Sequence, residues 1–152
     1  MVLGKMLAFF VVGVIDTVVA VCVGVFVFQV PLRGSVLFLA LSSCMFLWGA
    51  LFWGIFVSAA AKNQLLAYQM GMVTSMLPAF LLSGLVYSIE SMTTPVQAFT
   101  YLVPARYFIN LLKGIFLKGV GIQVLWVELL FLTAYATIVF LLATRKLKQK
   151  LA

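Results

Sequence analysis

The chain has 152 residues, 66% of them apolar and 9% charged, where soluble domains run near 45–50% and 25%. A globule of this size has too little interior to hide so much apolar surface, and a disordered chain is poor in it. Both classes are excluded, and lipid is the required solvent. The net charge of +7 comes from ten Lys and Arg against Asp16, Glu90 and Glu128. No basic surface interleaved with stacking aromatics accompanies it, so the sign speaks of membrane topology and not of nucleic acid. Without histidine, and with three acids, the chain has almost no material for a metal site or an acid–base catalyst. Cys22 and Cys44 lie inside apolar runs, where a lone thiol acts as a small hydrophobe.

A hydrocarbon core of about 30 Å needs about 20 apolar residues of helix. Four runs meet that length: residues 6–28, interrupted only by Asp16; residues 35–58; residues 67–89; and residues 124–144, ending at Arg145, Lys146, Lys148 and Lys150. The expected fold is therefore all-α, a polytopic membrane domain with four spans. The first run is too long for a cleaved leader and a second follows almost at once. Residues 91–121 are punctuated by Pro95, Pro104, Gly114, Gly119 and Gly121 and charged by Arg106, Lys113 and Lys118. A charge at the centre of a span costs roughly 2.5–3.5 kcal/mol, so this stretch reads as a re-entrant or interfacial helical hairpin. From Pro104 on, Arg106, Asn110, Lys113 and Lys118 fall near one face, with Phe108, Leu112, Ile115 and Phe116 on the rest. Four spans put both termini on one side. Lys5, Lys62 and the tail cations crowd short segments there, while Arg33, Arg106, Lys113 and Lys118 are spread along longer loops, so the termini are expected in the cytoplasm and the hairpin outside.

Small residues let helices approach closely in lipid. Gly13, Thr17, Ala20 and Gly24 mark the first span, Ala50, Gly54 and Ser58 the second, and Gly71, Ser75, Ala79 and Ser83 the third. Pro78, midway along the third span, removes a backbone donor and predicts a kink, with the Thr74 and Ser75 hydroxyls as candidates to satisfy the freed carbonyl. Asp16 is the ionisable group deep in a span; it is expected to face the bundle or water, beside the Gly13–Ala20 stripe, either locking two helices together or serving substrate or proton passage. Glu128 reads as an anchor at the start of the fourth span, and Trp126, near that end, as a belt residue; Trp48 and Trp53 are further belt candidates. Neither a phosphate-binding loop nor a nucleophile–base pair is present, so energy must come from a partner or an ion gradient.

The stretch "LPAFLLSGLVYSIESMTTPVQAFTYLVPARYFINLLKGIFLKGVG", residues 77–121, resembles the signature region of bacterial ABC transporter permeases of the type 2 exporter class. Leu82-Ser83-Gly84, Ile89 with Met92, Pro104 with Arg106-Tyr107-Phe108, and Lys118-Gly119 match that pattern, as do "VPLRGS" at 30–35 and "AKNQLLAYQM" at 61–70. Ser88 and Thr94 stand where the family usually has proline. The resemblance implies a membrane subunit of an exporter with no cofactor of its own, driven by a separate ATP-binding cassette ATPase and paired with a second permease. It also favours the re-entrant hairpin. Family members have six spans and an external domain after the first, so the chain is expected to hold only the last four. Candidate translocation or packing residues are Asp16, Thr17, Gly71, Ser75, Pro78 and Ser83; candidate hairpin residues are Pro104, Arg106, Tyr107 and Lys118. The rival reading is a self-sufficient small homo-oligomeric channel or ion-coupled carrier built on Asp16.

Overall fold

A computed structural model describes residues 2–84, 86–119 and 122–151, and every regular element among them is helical. Backbone groups in lipid must be satisfied within their own segment, which is why uninterrupted apolar runs become helices. The helices are α1 (Val2–Phe26), α2 (Val36–Ala60), α3 (Gln64–Gly71), α4 (Leu77–Leu82), α5 (Thr94–Thr100), α6 (Pro104–Lys113) and α7 (Ile122–Leu151). A π turn, Met72–Met76, joins α3 to α4 in one rod, and a second, Gly114–Lys118, extends α6. Four helices are long and apolar enough to cross a membrane: Gly4–Phe26, Val36–Ala60, Gln64–Leu82 and Gln123–Gln149. Gly121 lies outside the described residues, as does the side chain of Lys150.

The third rod stops at Leu82, short of the expected residue 89, because Ser83 bends the chain and Gly84 takes a φ of 79° that only glycine adopts without strain. At its other end Asn63 accepts a hydrogen bond from the Leu66 amide at 2.7 Å, closing a tight turn after α2. The π turn sits immediately before Pro78, where the helix widens next to the residue that cannot donate. The Thr74 hydroxyl does not serve Pro78. It donates to Met70 O at 2.6 Å, the usual back-bond of a helical threonine, and accepts from Trp53 Nε1 at 3.4 Å. Trp53 thus ties α2 to the third rod. Trp48, half-exposed, packs its ring on Phe10 and Phe52. Glu128 lies within α7, past its first turn, since that helix begins at Ile122.

α2 is the central element, meeting α1, α3, α6 and α7. At Gly49 it lies tight against α7, where an added Cβ would stand 3.0 Å from the Tyr135 ring. The expected stripe on α2 lies elsewhere: Ala50, Gly54 and Ser58 are exposed, and Gly54 has nothing within 4 Å of a Cβ position. Two clusters hold the ends of the bundle. Phe38, Leu39, Leu111, Ile115, Leu125 and Leu132 form one, so the α6 segment inserts between the beginnings of α2 and α7. Phe52, Val139 and Ala143, with Met6 and Trp53 against them, form the other. Lipid tails are as apolar as leucine, so within the membrane these contacts hold by shape and dispersion.

Candidate functional site

Hydrogen-bonding side chains converge where the third rod passes to the fourth. Pro95 and Pro104 each stand in the first turn of a helix, where the missing N–H leaves nothing unpaired. Between those helices, Arg106 donates from Nη1 to Thr100 Oγ1, and the fully buried Thr100 hydroxyl donates to Gln97 O at 2.7 Å. Gln97 Nε2 in turn donates to Ile89 O at 3.0 Å and Met92 O at 3.1 Å. The Arg106 guanidinium carbon lies 4.1 Å from the Tyr101 ring centroid, a cation–π contact. Tyr107 Oη donates to Tyr101 O at 2.8 Å, and its ring stacks on Phe131 of α7. Burial pushes the Tyr107 phenol above its ordinary pKa, against the opposing pull of the Arg106 charge. Together these bonds make a polar clip that shuts the α5–α6 hairpin.

The hairpin is fastened to the bundle on three sides. Leu111 and Ile115 are fully buried in the first core, and Phe108 stacks on Phe46 of α2 at 4.4 Å. Lys113 Nζ donates to Gly84 O at 3.3 Å, reaching the end of the third rod. Gly119 has a φ of 60° and approaches Arg33 so closely that a Cβ would sit 2.9 Å from the Arg33 Cβ. A Cβ at Gly34 would likewise sit 2.9 Å from Ile115. The loop after α1 and the hairpin therefore share one end of the molecule. Lys118 is exposed in the last turn of the hairpin, where a cation suits the free carbonyls.

An open groove of about 510 Å³ runs beside the hairpin, between α1, α2 and α6. Thr17, Gly24, Ser43, Phe46, Phe108 and Lys113 are among its lining residues. The Thr17 hydroxyl donates to Gly13 O at 2.8 Å, and the buried Ser43 hydroxyl has no partner among the described residues. Ser83 is also buried with an unpartnered hydroxyl, at the end of the third rod. The predicted residues thus separate. Pro104, Arg106 and Tyr107 belong to the clip, and Thr17 lines the groove. Gly71 has nothing within 4 Å of a Cβ position, Ser75 is exposed, and Pro78 follows the π turn.

Asp16 does not face the other helices of this chain. It is exposed, because α1 turns the neighbouring Gly13 toward α2, where an added Cβ would meet Leu47 at 2.9 Å. Sequence reasoning missed Thr100 and Gln97, since the apolar pattern breaks at Pro104 and gives no register between α5 and α6. It also missed Gly49, which lies one residue before the stripe that was legible, and Ser43. No sequence signal marks the Trp53–Thr74 bond.

Comparison with known proteins places this geometry in a family. The model for the ABC-2 type transporter family matches residues 1–117. The chain is 37% identical over 147 residues to the probable multidrug ABC transporter permease YbhS of Escherichia coli K12, covering 97% of this chain and 39% of that protein. It is 27% identical over 124 residues to the probable multidrug ABC transporter permease YbhR of the same organism, covering 82% and 33%. The inner membrane transport permease YhhJ, also of that organism, is 28% identical over 125 residues, covering 81% and 33%. No solved structure matches significantly. The chain spans less than two fifths of the length of these relatives. With the four membrane-length helices, the clipped hairpin and a family match over most of its residues, the chain belongs to the ABC-2 type transporter family.

Proposed function

We propose that this chain is membrane-spanning permease machinery of an ATP-driven exporter in a bacterial inner membrane. Its relatives are called multidrug and inner membrane transport permeases, which supports both the activity and the location. The helices Gly4–Phe26, Val36–Ala60, Gln64–Leu82 and Gln123–Gln149 are the ones that cross, with both termini in the cytoplasm and the α5–α6 hairpin outside. ATP is bound and hydrolysed by a separate ATP-binding cassette subunit, and a second permease, identical or related, completes the conduit. Similarity to two distinct permeases of one organism supports a related partner.

One observation carries the reading. Small residues at Gly54 on α2 and Gly71 on the third rod have open space where a Cβ would stand. Such positions admit close helix approach, and no described residue comes within 4 Å of those Cβ positions. They suit sliding contacts with another subunit. When the ATPase closes, the bundle rocks against its partner, Gly71, Ser75 and Ser83 ride along the contact, and the widened turn before Pro78 absorbs the bend. Thr17 borders the path on the first span, in the groove beside the hairpin. The clipped hairpin keeps the outer end rigid while the spans tilt.

The test is reconstitution from the native membrane. Affinity capture of the chain should bring down an ATP-binding cassette subunit, and proteoliposomes of that complex should move substrate only with ATP. A fully active complex without any ATPase overturns the proposal and favours the ion-coupled carrier.

A further inference from the structure

From the exposed carboxyl of Asp16 we propose that α1 docks, through its Asp16 face, against a transmembrane helix from outside this chain, one that presents a hydrogen-bond donor at mid-membrane depth. Lys5 and Asp16 are the charged residues of Gly4–Phe26, and none of its most apolar window is buried against the rest of the described chain. At a rise of about 1.5 Å per residue, Asp16 lies about 18 Å along this span, near its middle. It is exposed there and has no hydrogen bond or ion pair among the described residues. Phe9, Val12, Val19 and Val23 fall on the same side at helical spacing, and all are exposed. Lipid tails offer an isolated carboxyl no donor, so a face built this way needs a polar partner.

The partner's chemistry follows from the carboxyl and from the rest of the chain. A donor is required: a hydroxyl, an amide or a cation. Two-fold pairing of this face with its own copy sets Asp16 against Asp16. The rest of this face, Phe9, Val12, Val19 and Val23, is apolar and supplies no donor, so the same face of a second copy cannot satisfy the carboxyl. The relatives, by contrast, carry about three fifths of their length beyond the matched stretch, ample for further spans. This rests on the proposed permease reading only in the identity of that partner. The need for a donor stands without it.

A photoreactive benzoylphenylalanine at Val12 or Val19, in the chain expressed in its native membrane, tests this. The expected result is one protein adduct whose mapped peptide is an apolar segment with a Ser, Thr, Asn, Gln, Lys or Arg at mid-depth. Asp16→Leu should cut its yield about tenfold, the loss expected when one hydrogen bond is removed, while Asp16→Asn, which keeps an acceptor oxygen, should retain most of it. An adduct with lipid alone, an adduct with a second copy, or a protein adduct indifferent to Asp16→Leu overturns the proposal. Adduct formation is scored without transport, so an ATP-independent complex that still gives the Asp16-dependent adduct sinks the exporter reading and leaves this one standing.

Discussion

Replacing Arg106 with alanine should open the hairpin while leaving the spans intact. The guanidinium contributes one charged hydrogen bond to Thr100, worth about 1.5–3 kcal/mol, and a half-exposed cation–π contact with Tyr101, worth about 0.5–1 kcal/mol. Its removal also leaves the buried Thr100 oxygen short of a donor. A loss of about 2–4 kcal/mol corresponds to a fall of about 30- to 800-fold in the protection of amides around residues 97–103. Hydrogen exchange with mass spectrometry, on protein in nanodiscs, reads this directly, with peptides from α2 as the internal standard. Arg106→Lys keeps the charge but not the planar fork over the ring, so it should recover at most about half of the lost free energy. Thr100→Val combined with Arg106→Ala should cost far less than the two changes summed, because both break one bond. Protection unchanged within a factor of about three in Arg106→Ala refutes the idea that this clip holds the hairpin.

Three further outcomes follow from the geometry. Gly119→Ala places a β-carbon 2.9 Å from that of Arg33, at a φ of 60°; the left-handed backbone alone costs about 1–2 kcal/mol, and thermal unfolding in detergent should shift down accordingly. Gly49→Leu should separate α2 from α7 and yield polydisperse protein on size-exclusion chromatography, since the Tyr135 ring leaves no room. Gly54→Leu, in open space, should leave this chain's own fold unchanged and weaken its assembly with a partner. Tyr107→Phe should cost about 0.5–1.5 kcal/mol of hairpin protection, the worth of one neutral hydrogen bond. Because burial raises the folded phenol above its unfolded value, the stability it contributes is fully present below that unfolded value. It is lost only as pH rises through the raised one, so hairpin protection should not fall between pH 6 and 9 on account of Tyr107.

The four membrane-length helices were legible because lipid enforces a one-to-one relation between a long apolar run and a helix. Their ends were less so. Hydropathy carries residues 83–89 along with the third rod, but the positive φ of Gly84 stops the helix, and an apolar count does not see a backbone angle. The charge on residues 104–118 argued against a span, and the structure shows what that segment does instead: Leu111 and Ile115 enter the core while Arg106 and Lys113 find local acceptors. Small-residue stripes told that helices pack, yet not which glycine meets which neighbour. A Cβ would meet Leu47 at Gly13 and Tyr135 at Gly49, whereas at Gly54 and Gly71 it would meet no described atom within 4 Å. That distinction depends on relative helix rotation, a property of the assembled bundle that no single helix encodes. For the same reason the sequence pointed Asp16 inward, and the rotation of α1 against α2 exposes it.

Four membrane-length helices leave the loop after α1 and the hairpin together at one end of the molecule. Single cysteines at Ser35, Thr93, Lys62 and Lys148, all exposed, in a background with Cys22 and Cys44 replaced by serine, can be labelled with a membrane-impermeant maleimide in right-side-out and inverted vesicles. Positions 35 and 93 should label only in right-side-out vesicles, and positions 62 and 148 only in inverted ones. Labelling of positions 93 and 148 from the same side would contradict the account.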